Sequence, residues 1–336
     1  SLPPAFTNLY SLLPRNTRDE NGTREFRREA EFAGTLQGYE IQNGQAIFAK
    51  LRQIKSLYEL RLLQHAIDIS AEAHMRAMSN IGTLGWEYEV QAEIEYVFRR
   101  RNADYWGYPS IVGCGPNGTT LHYIESQGRI GRTDLMLIDV GAEYDHYTAD
   151  ITRTFPVNGK FTPAQRDIYT IVYDAQEAAA AKLRPGAMIS EASGAAAAVI
   201  EERLARLGLI TAVGALIPGT QMPQYRIWYM HGWGHWLGMN VHDVGQQVPL
   251  APGMVTTNEP GVYIRSDALD YFDMTKPGMK EFIEKIRPAF ERYKNIGVRI
   301  EDDMLITESG VSWMSGRIPR KLEDVEAFMA GKASLK

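Results

Sequence analysis

The feature that most restricts what this chain can fold into is a single carboxylate inside an apolar run. Leu135-Met136-Leu137-Ile138-Asp139-Val140 is apolar on both sides of Asp139, and Gly141 ends it. A run of this kind predicts a buried strand. A charge placed there is costly unless it is paired or bound to a cation. Asp150 follows in Thr148-Ala149-Asp150-Ile151-Thr152-Arg153, inside a stretch from Glu143 to Phe155 whose tyrosines, threonines and Ile151 favour extended structure. The two segments read as a hairpin turning near Ala142-Glu143, across which Asp139 and Asp150 can face one another. Facing carboxylates repel unless a proton or a cation lies between them. The plainer alternative is a structural Asp paired with Arg153 beside a turn Asp, and spacing by itself favours that alternative.

The remaining pattern supplies a frame. Residues 1–50 are charge-dense from Arg15 to Glu31, are interrupted by glycines, and read as short strands and loops. Leu57, Leu60, Leu63, Ile67 and their successors recur at helical spacing, which predicts a long amphipathic helix over Ser56–Ser79. Glu87–Arg101 reads as a second helix, and Gly107–Gly118 as a turn-rich stretch holding a short strand. Thr162-Pro163 opens a third helix that Arg184-Pro185-Gly186 stops. Ser190–Leu207 is a fourth, closed by Gly208. Strands are predicted over Val255–Tyr263 and Val298–Thr307, with helical charge spacing over Lys276–Lys294 between them. Helix, helix and hairpin, then helix, helix and strands, make an α+β chain with a two-fold resemblance in layout.

Three more elements carry chemistry. His231-Gly232-Trp233-Gly234-His235 and, soon after, His242-Asp243 contain three of the chain's seven histidines. The glycines let the backbone approach closely and argue for a turn leading into a strand. One histidine alone is more often structural than a ligand, but three together favour a site. Glu259 stands in a predicted strand just before Pro260-Gly261, and Glu301 alternates with Ile300. Asp302 and Asp303 read as surface carboxylates. Asp139, Asp150, His235, Glu259 and Glu301 thus form a set of four oxygen donors and one nitrogen donor. Such a set suits Mn²⁺ or Mg²⁺ better than Zn²⁺, and four carboxylates match the charge of two divalent ions.

These motifs together resemble the catalytic domain of the Xaa-Pro peptidases, aminopeptidase P and prolidase. The likeness runs from about Lys55 to about Ile318 through Ile138-Asp139-Val140-Gly141, Asp150-Ile151-Thr152-Arg153, Gly234-His235-Trp236-Leu237-Gly238, Val241-His242-Asp243, Asn258-Glu259-Pro260-Gly261 and Arg299-Ile300-Glu301. The resemblance implies the pita-bread fold: pseudo-two-fold αβ halves with a curved antiparallel sheet covered by helices. It divides the chain into 1–54, an N-terminal segment that is a remnant or linker of a preceding domain, and 55–336, the catalytic domain. It implies a dinuclear-metal exopeptidase hydrolysing the Xaa-Pro bond at the N-terminus of peptides or in dipeptides, by attack of a metal-bridged hydroxide. The metals would be two divalent ions, Mn²⁺ ahead of Zn²⁺ or Co²⁺. Asp139 and His235 would each hold one ion, Asp150 and Glu301 would bridge both, and Glu259 would be ligand and proton shuttle. His122, His231, His242 and Arg299 match substrate-site or neighbouring catalytic positions. A homodimer or higher homo-oligomer is implied as well. Two departures stand out. Residues 1–54 are too few for the family's N-terminal domain, and Trp233 replaces a smaller aliphatic residue, which predicts a different pocket shape. The insert Arg265–Asn295 is closer to prolidases. The rival readings are a methionine aminopeptidase-like enzyme and a non-catalytic peptide-binding module of the same fold. Five intact ligand positions count against the second.

Composition sets the outer limits. The net charge of −5 points away from a nucleic-acid partner. No apolar stretch approaches the roughly 20 residues of a membrane helix. The one cysteine, Cys114, makes no intrachain disulfide and reads as a small buried residue. With no signal-peptide pattern, a cytoplasmic location is expected.

Overall fold

Local chemistry sets the helix ends, and the computed structural model, which describes residues 7–11 and 24–331, follows it closely. The N-terminal part pairs β1 (Asn8–Ser11) in parallel with β2 (Glu40–Asn43). Two helices flank the pair, α1 (Arg24–Gly34) and α2 (Gln45–Gln53). The strands and loops expected here are therefore incomplete. Gly34 and Gly44 end and open helices rather than interrupting them, and Arg15–Thr23 lies outside the described residues.

The first half of the main body begins with α3 (Leu57–Asn80). Ser56 caps it by accepting the Glu59 N–H, and Glu59 reaches back to the Ser56 N–H at 2.7 Å. Next come α4 (Glu87–Arg100), β3 (Tyr105–Trp106), β4 (Ile111–Cys114), β5 (Leu135–Val140), β6 (Ala142–Tyr144), β7 (Tyr147–Thr148) and β8 (Ile151–Pro156). β5 lies between β4 and β8, antiparallel to both. The expected turn is displaced. Asp145 and His146, both in left-handed backbone, reverse the chain between β6 and β7, rather than Ala142-Glu143.

The second half repeats the layout. α5 (Pro163–Ala180) starts at the Thr162–Gln165 capping box, and α6 (Ile189–Leu207) ends at Gly208, whose φ is 78°. Then follow β9 (Val255–Asn258), β10 (Gly261–Ile264), α7 (Met279–Tyr293), β11 (Ile296–Arg299), β12 (Asp302–Ile306), β13 (Val311–Trp313) and α8 (Leu322–Met329). Two long strands were predicted where four short ones occur. β10 pairs with β11, while β9 and β13 flank β12. The breaks fall at Glu259-Pro260 and Ile300-Glu301, where the chain changes ladder. Pro260 has no N–H to contribute to a ladder.

α3 packs on α4 and α5 on α6, and the short antiparallel ladders lie beneath them. Ile69, Ala73 and Ala77 of α3 and Val90 and Ile94 of α4 share one core with Ile138 and Val140 of β5. Each fully buried Ile or Val side chain among these contributes about 1.5–3 kcal/mol. Among the described residues, no helix is long and apolar enough to cross a membrane.

Candidate metal centre

β5 carries Asp139 into the interior, and the link between β7 and β8 brings Asp150 beside it. Gly141 makes this approach possible, because a Cβ there would collide with the Ala149 carbonyl. The Tyr108 hydroxyl spans the two carboxylates, at 2.6 Å from Oδ1 of Asp139 and 2.7 Å from Oδ1 of Asp150. The other oxygen of Asp139 pairs with Arg299 Nη2. Burial pushes the Asp139 pKa up; Arg299 opposes this and the charge of Asp150 adds to it. Arg153 takes no part in this pairing. It binds Asp302 at 2.6 Å and the Glu301 carbonyl at 2.6 Å.

His235 lies in a loop that pairs with β9 without forming a full strand. Trp236 bridges Thr256, and the Thr257 N–H donates to the His235 carbonyl at 2.9 Å. Gly234 permits this contact, since a Cβ there would stand 2.5 Å from the Thr257 carbonyl oxygen. Nδ1 of His235 faces the Trp236 carbonyl at 3.0 Å and must donate to it. Nε2 is thereby turned to the carboxylates, 3.2 Å from Asp150 Oδ2 and 3.4 Å from Glu259 Oε1. Burial would lower the His235 pKa, but the hydrogen bond and charge of Asp150, with the charge of Glu259, outweigh it and hold the pKa at about 9.

Both glutamates sit in the strand breaks. Glu259 donates its N–H to the Trp233 carbonyl at 3.0 Å and accepts from the Thr257 hydroxyl at 3.2 Å. Burial pushes its pKa to about 7, against the charge of His235. Glu301 accepts the Thr152 hydroxyl at 2.6 Å. Burial, then the charges of Asp150, Glu259 and Asp139, push its pKa well above the carboxylate range. Donor atoms of Asp150, His235 and Glu301 all lie within 4.8 Å of one another. Asp139, held by Tyr108 and Arg299, and Glu259, beside His235, adjoin this group. Buried like-charged carboxylates joined by an imidazole nitrogen fit divalent cations, which remove the repulsion that burial creates.

The centre opens on a cleft of about 990 Å³ whose lining includes His122, His231 and His242. Nδ1 of His231 donates to the Gly232 carbonyl at 2.7 Å, and its Nε2 lies 2.9 Å from the Tyr263 hydroxyl. Arg299 Nη1 donates to that same hydroxyl at 2.8 Å. Burial, reinforced by the charge of Arg299, holds the His231 pKa down at about 3, so its ring is neutral. The His242 ring stands edge-on to that of His235, centroids 4.3 Å apart. His122 is exposed at the cleft wall.

Two expectations are corrected. Asp302 and Asp303 are fully buried, not on the surface. Asp302 is held by Arg153, by Gln176 at 2.9 Å and by Ser315 at 2.5 Å, and Asp303 accepts the Asp150 N–H at 3.3 Å. Trp233 does not shape the cleft. It is buried, and its Nε1 donates to Asn258 Oδ1 at 2.8 Å, which steadies the strand leading to Glu259. Tyr108, Tyr263 and Thr152 were missed as site residues. Only Thr152 had a signal, its alternation with Asp150. Nothing in the sequence shows where the two tyrosine hydroxyls point.

Residues 61–308 match the family model for metallopeptidase family M24. The chain belongs to this metallopeptidase family. It is 41% identical over 286 residues to an Xaa-Pro aminopeptidase of Escherichia coli strain K12, covering 83% of this chain and 60% of that protein. It is 40% identical over 296 residues to an Xaa-Pro aminopeptidase of Haemophilus influenzae, covering 86% and 64%. The chain thus spans about 60% of the length of the first of these relatives. Among solved structures, aminopeptidase P from E. coli with the inhibitor Pro-Leu superposes with a TM-score of 0.76 at 34% identity, over 97% of this chain and 71% of that one. The resemblance to Xaa-Pro peptidases read from the motifs is borne out, and with it the α+β pita-bread fold. Family and donor set together support divalent metal ions.

Proposed function

We propose that this chain carries the catalytic part of an exopeptidase that hydrolyses the Xaa-Pro bond at the N-terminus of peptides or in dipeptides. The observation that carries this reading is the convergence of four carboxylates and His235 on one cleft lined by three further histidines. The Xaa-Pro aminopeptidases among the relatives support the same choice of bond.

Two divalent cations, Mn²⁺ ahead of Zn²⁺ or Co²⁺, would be held by Asp139, Asp150, His235, Glu259 and Glu301, and would supply Lewis acidity and a lowered pKa for water. Glu259 lines the cleft beside His235, where a carboxylate can take up and return a proton. In this reading it accepts the proton of the attacking water and passes it to the prolyl nitrogen. That nitrogen is tertiary in the peptide and leaves only when protonated. Of the two candidates, His231 or His242, it is His242 that steadies the charge developing on the scissile carbonyl, because both ring nitrogens of His231 are already engaged, by Gly232 and Tyr263. Arg299 neutralises Asp139 and, through Tyr263, sets the ring of His231. His122 contacts the substrate. A homo-oligomer and a cytoplasmic location belong to the same proposal, on family likeness and cysteine usage.

The test is to incubate the chain with Mn²⁺ and offer Gly-Pro, Ala-Pro-Ala and Met-Ala-Ser side by side, with a chelator control. Chelator-sensitive cleavage of either proline peptide is the expected result. Cleavage of Met-Ala-Ser alone would move the assignment to a methionine aminopeptidase. No cleavage and no bound metal would favour a peptide-binding module.

A further inference from the structure

The family match begins at residue 61, yet part of the cleft is built before it. Gln45, at the start of α2, contributes to the lining. The far end of α2 and the link into α3 grip the loop of residues 238–247, which carries His242. Gln53 grips it at both of its amide atoms. Its Nε2 donates to the Gln246 carbonyl at 2.9 Å, and its Oε1 accepts the Gln246 N–H at 3.1 Å. Arg52 Nη2 donates to Asn240 Oδ1 at 2.7 Å and pairs with Asp243 Oδ1 at 2.5 Å. Lys55 Nζ lies 3.5 Å from Asp243 Oδ2. The side chains of Lys55 and Asp243 are each 1% exposed, so this pair is interior.

The loop is shaped around that pair. A Cβ on Gly238 would collide with the Asp243 carboxylate and stand 3.1 Å from Lys55 Nζ. Lys55 is itself fixed, because its N–H donates to the Gly253 carbonyl at 2.8 Å. Residues 238–247 form no helix or strand, so few backbone bonds of their own hold them. Besides backbone bonds from the Thr148 N–H to the Gly238 carbonyl and from the Asp243 N–H to the Trp236 carbonyl, their polar side-chain tethers come from α2 and Lys55. Losing Lys55 leaves the buried Asp243 with Arg52 alone as its ion-pair partner, and losing Gln53 strands a backbone donor and an acceptor.

We propose that residues 45–55 act as a positioning strap of the candidate site, holding the loop of residues 238–247 and so setting where His242 stands in the cleft. A domain boundary between residues 54 and 55 would separate Gln53 from Lys55, which hold the same loop. The effect on catalysis rests on the proposed peptidase activity; the tether itself does not.

The experiment uses the full chain and two variants, Gln53→Ala and Lys55→Met. Amide hydrogen exchange is measured over residues 238–247, with α5 as internal reference. Exchange in the loop is expected to rise about tenfold while α5 stays unchanged, as the loss of one or two tethers would produce. Exchange in the loop as slow as wild type in both variants would overturn the tether. On Ala-Pro-Ala with Mn²⁺, kcat is expected to fall about tenfold or more with KM and bound manganese little changed, since misplacing one group costs the transition state. Faster loop exchange with intact kcat would overturn the positioning role. Should Lys55→Met fail to fold, Gln53→Ala decides, because it leaves the ion pair in place. If wild type cleaves no peptide, the peptidase reading falls, and the exchange data still decide the strap.

Discussion

Thr152 and Glu301 are joined twice: the Thr152 hydroxyl donates to Glu301 Oε2 at 2.6 Å, and the Glu301 N–H donates to the Thr152 carbonyl at 3.1 Å. The same hydroxyl also accepts from Arg299 Nε at 2.9 Å. One small side chain therefore aligns a carboxylate of the candidate centre with the arginine that pairs with Asp139. Thr152→Val keeps the shape and removes the hydroxyl, leaving a buried acceptor and a buried donor unmet. We expect a loss of about 1–3 kcal/mol in unfolding free energy and weaker retention of metal on dialysis. Thr152→Ser should restore most of both. A valine variant as stable and as metal-retentive as wild type would contradict the alignment role.

Glu259→Gln removes a titrating proton site and keeps the size of the side chain. If Glu259 shuttles the proton, turnover of Ala-Pro-Ala should drop about 10²–10⁴-fold. Metal content, read by elemental analysis, should stay largely intact. Turnover near the wild-type rate would remove Glu259 from the role of shuttle.

Chelation should destabilise the fold. The buried carboxylates repel one another, and burial already pushes Asp139, Glu259 and Glu301 towards their neutral forms. A cation bound only to the folded chain stabilises it by about 2.7 kcal/mol at a free concentration one hundred times Kd. The melting temperature should therefore rise with added Mn²⁺ and fall with EDTA. A melting temperature indifferent to both would count against a metal centre.

His74 predicts an acid-side loss of stability. It is fully buried, its Nε2 donates to the Ile151 carbonyl at 3.0 Å, and burial, aided by the charge of Arg153, holds its pKa at about 3, below the ordinary 6.5. The unfolded chain takes up a proton as pH falls through 6.5; the folded chain does not until about 3. Stability is thus fully present above that window and is lost as pH falls through it. The loss should be about 2 kcal/mol between pH 7 and pH 5. Denaturant unfolding at both pH values measures it, and the loss in His74→Gln should be about 2 kcal/mol smaller than in wild type, with the separate loss from His231, also held at about 3, remaining. An equal loss in the variant would place the effect elsewhere.

The sequence by itself determined the local devices and the chemistry of the site. Ser56 with Glu59, Thr162-Pro163 with Gln165, and Gly208 set helix ends because each cap acts within a few residues. The candidate ligand types were legible because an acid in an apolar run and clustered histidines are improbable without a use. Only the tertiary structure decided which carboxylates are buried and what they face. Asp302 looked like surface charge because its partners, Arg153, Gln176 and Ser315, come from elsewhere in the chain. The breaks at Glu259 and Glu301 were hidden for the same reason: period-two alternation reports a strand's faces and not the ladder it joins. Trp233 turned inward because Asn258 waits there, and the Tyr108 hydroxyl reaches two acids that pattern alone could not assign to it. Burial and pairing are sums over distant partners, and no local window of sequence contains them.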